Sequence, residues 1–223
     1  MSLLGTVTAV CVLFAERDSG VRRVPRTAID KRPVAGPVDV HITGLAGDKV
    51  CDVEFHGGAS KAVYAYAKGE ADRWAAELGR DLPAGWFGEN LRVDGFSPTD
   101  AVLGERWRVG ECELEITSPR TPCATFGNWS GEPRWVRRFT ERADTGAYLA
   151  VRREGRVRAG DRVELLERPA HGVTVRDVFA GTDPDVLARL RASGAPLADS
   201  TIERIDYHLA RHDAQVRGTE ARS

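Results

Sequence analysis

A chain of 223 residues supports one substantial domain with room for a small appendix, and two large domains do not fit. Its 32 basic and 33 acidic residues give a net charge of −1, so bulk charge offers no reason to expect nucleic acid or an anionic membrane as partner. No apolar run approaches the roughly 20 residues of a membrane helix, and the N-terminus shows no basic stretch leading into an apolar one, so a cytosolic location is expected. The four cysteines lack a C-x-x-C or paired-histidine spacing, which argues against both a disulfide framework and a zinc site.

In chain order, residues 3–14 form a nearly continuous apolar run with Val7, Val10, Val12, Leu13 and Phe14, suited to a strand buried on both faces. Cys11 alternates there with Val7, Ala9 and Leu13 and reads as core. Residues 16–20 mark a turn. The basic segment 26–33 is a first candidate for anion contact, its alternative being a solvated charged face. Residues 38–42 alternate as a strand that Gly44 and Gly47 then break. Residues 52–64 read as a strand-like start followed by His56, Gly57, Gly58 and Lys61. Glycines let a ligand approach backbone N–H groups, and His56 and Lys61 add charge-assisted contacts to an oxyanion; the alternative is a tight turn with a satisfied histidine. The P-loop spacing is missing, so no nucleotide site follows.

Residues 70–78 predict a helix with Ala71, Trp74, Ala75 and Leu78 on one face and Gly79 as C-cap. Residues 86–93 join a glycine turn to a strand, with Glu89 and Asn90 at its start; Glu89 is either a buried acceptor or a turn carboxylate. Residues 106–116 predict two strand pieces pivoting at Val109-Gly110, with Cys112, Leu114 and Ile116 sharing a face. Just beyond, Ser118-Pro119-Arg120-Thr121-Pro122-Cys123 places a cysteine in a loop that two prolines stiffen. A neighbouring arginine favours the thiolate, the form that binds soft metals and attacks electrophiles; the alternative is a small buried hydrophobe. Cys51 carries no signal.

Residues 133–142 predict a helix with Pro133 at its first position, an apolar face of Trp135, Val136 and Phe139, and an arginine-rich face meeting either an anion or water. Residues 147–151 and 160–167 resemble a closing hairpin joined through Arg153-Glu154-Gly155-Arg156. Past Pro169 the period becomes helical: a piece at 174–179, a helix begun by Thr182-Asp183-Pro184, and another begun by a Ser200/Glu203 capping box. These boundaries divide the chain into a mainly β domain at 1–168, a helical appendix at 169–216 and a frayed tail at 217–223.

The ordered series Thr27-Ala28-Ile29-Asp30-Lys31, Gly44-Leu45-Ala46-Gly47-Asp48, His56-Gly57-Gly58 with Lys61-Ala62-Val63-Tyr64, Gly88-Glu89-Asn90-Leu91 and Pro119-Arg120-x-Pro122-Cys123 resembles the MOSC family (molybdenum cofactor sulfurase C-terminal domain), in its YiiM-like branch. Single motifs are weak, and their order over residues 1–168 makes the match specific. The resemblance implies a closed β-barrel-like domain, mainly β with added helices, that binds the molybdenum cofactor. It also implies that Cys123 is the molybdenum ligand and catalytic residue. Lys31, His56, Gly57, Gly58, Lys61, Glu89, Asn90 and Arg120 fall in segments that would line the cofactor pocket, with Arg120 and Lys31 first for its anionic groups. Asp30 and the small residues from Ala124 to Gly127 depart from the family pattern in ways that bear on access to the metal.

By the same resemblance the chain would be a reductase of N-hydroxylated compounds of hydroxylaminopurine type. Electrons would come from a separate flavin or iron–sulfur reductase, since no Rossmann fingerprint or cluster-cysteine pattern is present. A monomer or homodimer is expected. Two alternatives stay open: a non-catalytic cofactor carrier, and a sulfur-transfer module with a persulfide on Cys123.

Overall fold

The structure, a computed structural model, describes residues 2–195 and 197–220. In chain order its elements are β1 (Ser2–Asp18), β2 (Arg26–Pro33), β3 (Val38–His41), β4 (Gly44–Leu45), α1 (Val53–His56), β5 (Val63–Ala67), α2 (Lys68–Leu78), β6 (Leu91–Asp94), β7 (Arg106–Val109), β8 (Cys112–Pro119), α3 (Ala124–Ser130), α4 (Trp135–Arg142), β9 (Ala147–Arg153), β10 (Gly155–Val157), β11 (Arg162–Glu167), α5 (Val175–Ala180), α6 (Pro184–Ala192) and α7 (Asp199–Glu220). Seven strands close a barrel in the order β11-β7-β8-β9-β5-β6-β1, with β1 returning to β11; β5 and β6 run parallel and β2 extends the sheet beyond β1. A separate small sheet runs β10-β3-β4. No helix among the described residues is long and apolar enough to cross a membrane.

Strand β1 holds this arrangement together because it serves three neighbours in succession. Ser2 to Thr6 pair with β11, Thr6 to Val10 with β6, and Cys11 to Asp18 with β2. Register shifts at Leu3/Gly5, Val7/Ala9 and Leu13/Ala15 bend the strand from one neighbour to the next. Gly5 sits where a Cβ would fall 1.9 Å from the carbonyl oxygen of Asp94, so only glycine permits that crossing. The expectation of a strand buried on both faces fails: within the barrel Leu3 is 60% exposed and Thr6 and Thr8 are exposed, and a further change comes past Cys11. There β1 leaves the barrel, and Phe14 is 56% exposed with the Arg32 guanidinium 3.4 Å above its ring.

Two apolar clusters form. The barrel interior gathers Val10, Leu91, Trp107, Leu114, Ile116 and Leu149, and continues without a break into Val175, Val178, Leu187, Leu190 and Ile205 of the C-terminal helices. Outside the sheet an aromatic cluster of Tyr64, Tyr66, Trp74, Trp86, Phe87, Phe126, Trp135, Phe139 and Tyr148 ties β5 and β9 to α2, α3 and α4. Tyr66 stacks on Phe87 at 4.1 Å and Trp74 meets Trp135 at 4.5 Å, contacts that add roughly 0.5–1.5 kcal/mol per pair beyond area burial.

Several local expectations are corrected. Residues 53–56 form a helical turn instead of a strand, since His56 N–H donates to Asp52 O and Gly57 N–H to Val53 O and no strand lies alongside. The segments at 147–151 and 160–167 are not a hairpin: β9 pairs with β8 and β5, β11 with β7 and β1, and β10 between them joins β3. Barrel closure interposes β7 and β8 between the two segments. Cys123 is followed at once by α3, which the proline loop concealed. Pro133 precedes the cap residue Arg134 instead of opening α4. Helix α7 begins at Asp199, so Ser200 lies inside it and caps nothing. Its backbone runs on to Glu220, and the last three positions of the expected tail, 221–223, lie outside the described residues. The arginine-rich face of α4 is used within the fold. Arg138 and Arg142 both pair with Glu77 of α2, and Arg142 lies 3.8 Å over the Trp74 ring.

One buried acid makes the fold sensitive to pH. Glu70 of α2 is 1% exposed, accepts a hydrogen bond from Ser97, and burial pushes its carboxyl up to about 7 from about 4.5, helped by Asp144. The folded state therefore binds more protons than the unfolded chain, and stability falls as pH rises from about 4.5 through 7. Glu70→Gln should raise Tm at pH 8, by an amount equivalent to about 3 kcal/mol at most, and the advantage should vanish near pH 4.5; equal pH dependence in both proteins would refute this.

Candidate functional site

Strand β8 ends in Ser118-Pro119, and the next residue, Arg120, turns inward. It is only 5% exposed, with its guanidinium 3.8 Å over the Phe126 ring and 5.6 Å over that of Tyr64. Three residues on, Cys123 is the extended cap residue of α3 (φ −128°, ψ 172°), and Gly127 N–H donates to its carbonyl at 3.0 Å. The side chain is half-buried. It touches the aromatic cluster on one side and opens on the other into a cavity of about 450 Å³, within the usual size for a small ligand.

Strand β2 lines that cavity through Thr27, Ile29 and Lys31, and the segment after β4 lines it through Asp48, Lys49, Cys51 and Asp52. His56, Gly57, Gly58 and Lys61 close one end, and Tyr64, Arg120, Cys123 and Tyr148 form the floor. Gly58 has φ +92°, and a Cβ built on it would meet nothing within 4 Å, so its backbone faces open space in a conformation that favours glycine.

The charges are arranged unevenly. His56 Nδ1 lies 3.1 Å from the Tyr148 hydroxyl. Burial, reinforced by Arg120, pushes the imidazole down to about 4, while burial pushes the Tyr148 phenol up to about 12. Both are therefore neutral at pH 7, and a single proton lies between them. Burial also lowers the Lys61 ammonium, against the opposing pull of Glu203 and Asp52. Arg120 has no carboxylate partner among the described residues, and its Nη1 is buried without a hydrogen-bond partner.

Of the residues singled out from sequence, Cys123, Arg120, His56, Gly57, Gly58, Lys61, Lys31 and Asn90 all line this one cavity. Two of them are engaged within the wall. Lys31 donates to the Asp48 carboxylate, both side chains being 8% exposed, so the lysine charge is neutralised there and is a poorer first choice for an anion than expected. Asn90 donates to Asp48 at 2.7 Å and to Cys11 O at 3.3 Å, and accepts from Tyr64 N–H at 3.0 Å, riveting β1 to β5. Glu89 is a correction: it lies outside the cavity lining, fully buried, and accepts from Gly85 N–H, Phe87 N–H and Arg92 Nε. It shapes the turn into β6. Tyr148, Asp48 and Cys51 were not singled out. Tyr148 sits in a strand where nothing in the alternation distinguishes it from core, and Cys51 precedes α1 in an irregular segment.

The donor set suits a particular kind of ligand. Among the described residues no group of three or more His, Cys, Asp or Glu side chains is placed to hold a metal ion. The cavity is lined by two thiols, Cys51 and Cys123, by Arg120, which has no carboxylate partner among the described residues, and by the open glycine backbone at Gly58. These fit a large anionic group that brings most of its metal's ligands with it and takes one thiolate from the protein.

The closed barrel thus carries a cavity of small-ligand size, lined by the Cys51 and Cys123 thiols and by cationic groups. The model of the MOSC domain matches residues 52–164, and the chain belongs to that family. It is 34% identical over 150 residues to YflK of Bacillus subtilis, covering 67% of this chain and 68% of that one. To YiiM of Escherichia coli K12 it is 29% identical over 157 residues, covering 69% and 70%. A protein named Reductase from Gibberella moniliformis is 31% identical over 147 residues, which span 64% of this chain and 26% of the relative. Among solved structures, YiiM from Geobacillus stearothermophilus superposes with TM-score 0.74 at 24% identity, covering 92% of this chain and 98% of that one. YiiM from Escherichia coli gives TM-score 0.70 at 23% identity, with 95% and 94% covered. These two show a shared fold.

Two measurements check the site. In NMR titrations the His56 imidazole should remain neutral down to about pH 4; since the unfolded chain's histidine takes up its proton near 6.5, stability falls as pH falls from 6.5 toward 4, and protonation of the folded His56 near 6.5 would contradict the buried geometry. Glu89→Ala should lose roughly 3–5 kcal/mol in denaturant unfolding by stranding Arg92, and the double change Glu89→Leu with Arg92→Met should lose less. A double variant as unstable as the single one would refute that account.

Proposed function

We propose that this chain binds the pterin molybdenum cofactor and reduces N-hydroxylated compounds, with hydroxylaminopurine-type bases as the substrate class. One observation carries the reading: Cys123 and Arg120, a buried cation with no carboxylate partner among the described residues, line the same cavity of about 450 Å³. The MOSC family takes its name from molybdenum cofactor sulfurase, and the relative named Reductase adds support for redox chemistry.

Cys123 would provide the protein ligand to molybdenum, its position held by the Gly127 hydrogen bond and the aromatic cluster. Arg120 and Lys61 would hold the anionic part of the cofactor, Arg120 with an orientation already set by the Phe126 ring. Once bound, the cofactor supplies a two-electron removal of the N–OH oxygen, so that a hydroxylamine, two electrons and two protons yield an amine and water. Tyr64 and Tyr148 line the floor and keep water from the reacting face. At neutral pH Tyr148 keeps its proton on Oη, leaving the His56–Tyr148 pair as an uncharged hydrogen-bonding edge for a neutral base. Electrons would come from a separate flavin or iron–sulfur reductase.

Wild type purified from a cofactor-competent host should contain molybdenum and pterin near one per chain, with molybdenum falling at least tenfold in Cys123→Ala and pterin retention falling in Arg120→Met. The loaded protein should reduce hydroxylaminopurine with an artificial electron donor. Folded wild type without metal or pterin would sink the reading, and stoichiometric cofactor without turnover would make the protein a carrier.

A further inference from the structure

Helix α7 contributes no side chain to the lining of the large cavity among the described residues, yet it grips the chain on both sides of Arg120. Ahead of it, the fully buried Thr201 donates from its hydroxyl to Thr117 O at 2.8 Å. Just after it, Arg204 Nη2 donates to Thr121 Oγ1 at 2.6 Å. Thr117 carries the first grip further, because its own hydroxyl shares one proton between Tyr148 O, at 2.9 Å, and Ser60 O. One residue thus joins α7 to β9 and to the segment between Gly58 and Lys61.

The loop that follows β8 sends its side chains two ways. Arg120 and Cys123 line the cavity, whereas Thr121 is exposed and is not part of that lining. A hold on the Thr121 hydroxyl is therefore a hold on the side of the loop turned away from the cavity, and it fixes how far the other two residues turn in. Arg204 is well placed to exert it. Its guanidinium lies 4.9 Å from the Phe179 ring and donates through Nη1 to Phe179 O at 3.3 Å. Phe179 belongs to α5, which shares the barrel's apolar cluster with α7 through Val178 and Ile205. A guanidinium seated on a ring, its planar fork already oriented, loses little further freedom when it donates to Thr121.

We propose that Arg204 is a positioning residue of the site: by holding Thr121 it sets the rotation of the loop from Arg120 to Cys123 and keeps the Cys123 thiol turned into the cavity at its half-buried depth. Thr201 steadies the strand end from which that loop departs. The C-terminal helices then govern access to the thiol without placing an atom beside it. The role rests on the reading of Cys123 as the ligating thiol of the site, and it is tested on the thiol itself with no cofactor bound.

The full chain, prepared without cofactor, is treated with excess iodoacetamide, and alkylation of Cys123 and Cys51 is followed separately by peptide mass spectrometry. Cys11 and Cys112, both fully buried, should stay unmodified. Thr121→Val, which keeps the side-chain shape and removes the acceptor, and Arg204→Gln should each speed Cys123 alkylation about fivefold, with the Cys51 rate unchanged in the same samples. Thr121→Ser, which restores an acceptor hydroxyl, should react as wild type does. The double variant Thr121→Val with Arg204→Gln should match the single ones, since both remove the same interaction. Should Arg204→Gln fail to fold, Thr121→Val and Thr121→Ser, at an exposed position, decide the matter. Equal Cys123 rates in wild type and Thr121→Val, equal rates in Thr121→Val and Thr121→Ser, multiplied effects in the double variant, or a Cys51 rate rising in parallel would each overturn the proposal. A chain that binds no molybdenum would sink the functional reading and leave these rates standing.

Discussion

A guanidinium held on the face of an aromatic ring governs this structure. Arg120 is 5% exposed and has no carboxylate among the described residues, so ring faces and the open cavity take the place of water around its charge. Its position ties the aromatic cluster to the site, because Phe126 and Tyr64 belong to that cluster and the guanidinium rests on both. The electrostatics of the floor follow. Arg120 reinforces the burial that keeps His56 neutral, and it acts on the Tyr148 phenol in the direction opposite to burial. A buried positive charge with no carboxylate partner among the described residues thus lines the same cavity as Cys123.

Asp48 builds one wall of the cavity by joining segments far apart in the chain. Its carboxylate takes Lys31 from β2, Asn90 from the turn before β6 and Leu13 N–H from β1. Since these groups satisfy one another, that wall is rigid and close to neutral, and the cavity's unspent positive charge is concentrated at Arg120. A ligand with one anionic region is thereby given an orientation. The family match begins at residue 52, so this wall is drawn largely from sequence ahead of the matched segment.

The C-terminal helices are continuous with the barrel. Val178, Leu190 and Ile205 belong to the same apolar cluster as Trp107 and Ile116, and α7 sets Ser200 and Arg204 behind the site wall. Removing these helices would open the barrel core as well as the space behind His56. They are therefore part of how the site is built.

Much of this was legible in the residues themselves. The pivot at Val109-Gly110, the shared face of Cys112, Leu114 and Ile116, the helix ending at Gly79 and the helical piece at 174–179 follow from local periodicity and turn chemistry, which act over a few residues. The motif series likewise pointed to Cys123, Arg120, His56 and Lys61, because each sits in a short segment with its own glycines or prolines. Other features depend on which strands become neighbours. That Phe14 faces water, that β9 and β11 are separated by two strands, that Lys31 is neutralised by Asp48 and that Glu89 turns away from the cavity are long-range outcomes of closing seven strands into a barrel. Sequence alone determined most element types, though not the helical turns at Val53–His56 and Ala124–Ser130, and the chemistry they carry. The tertiary structure decided which charges meet a partner and which do not, because pairing requires groups dozens of residues apart to come within about 3 Å.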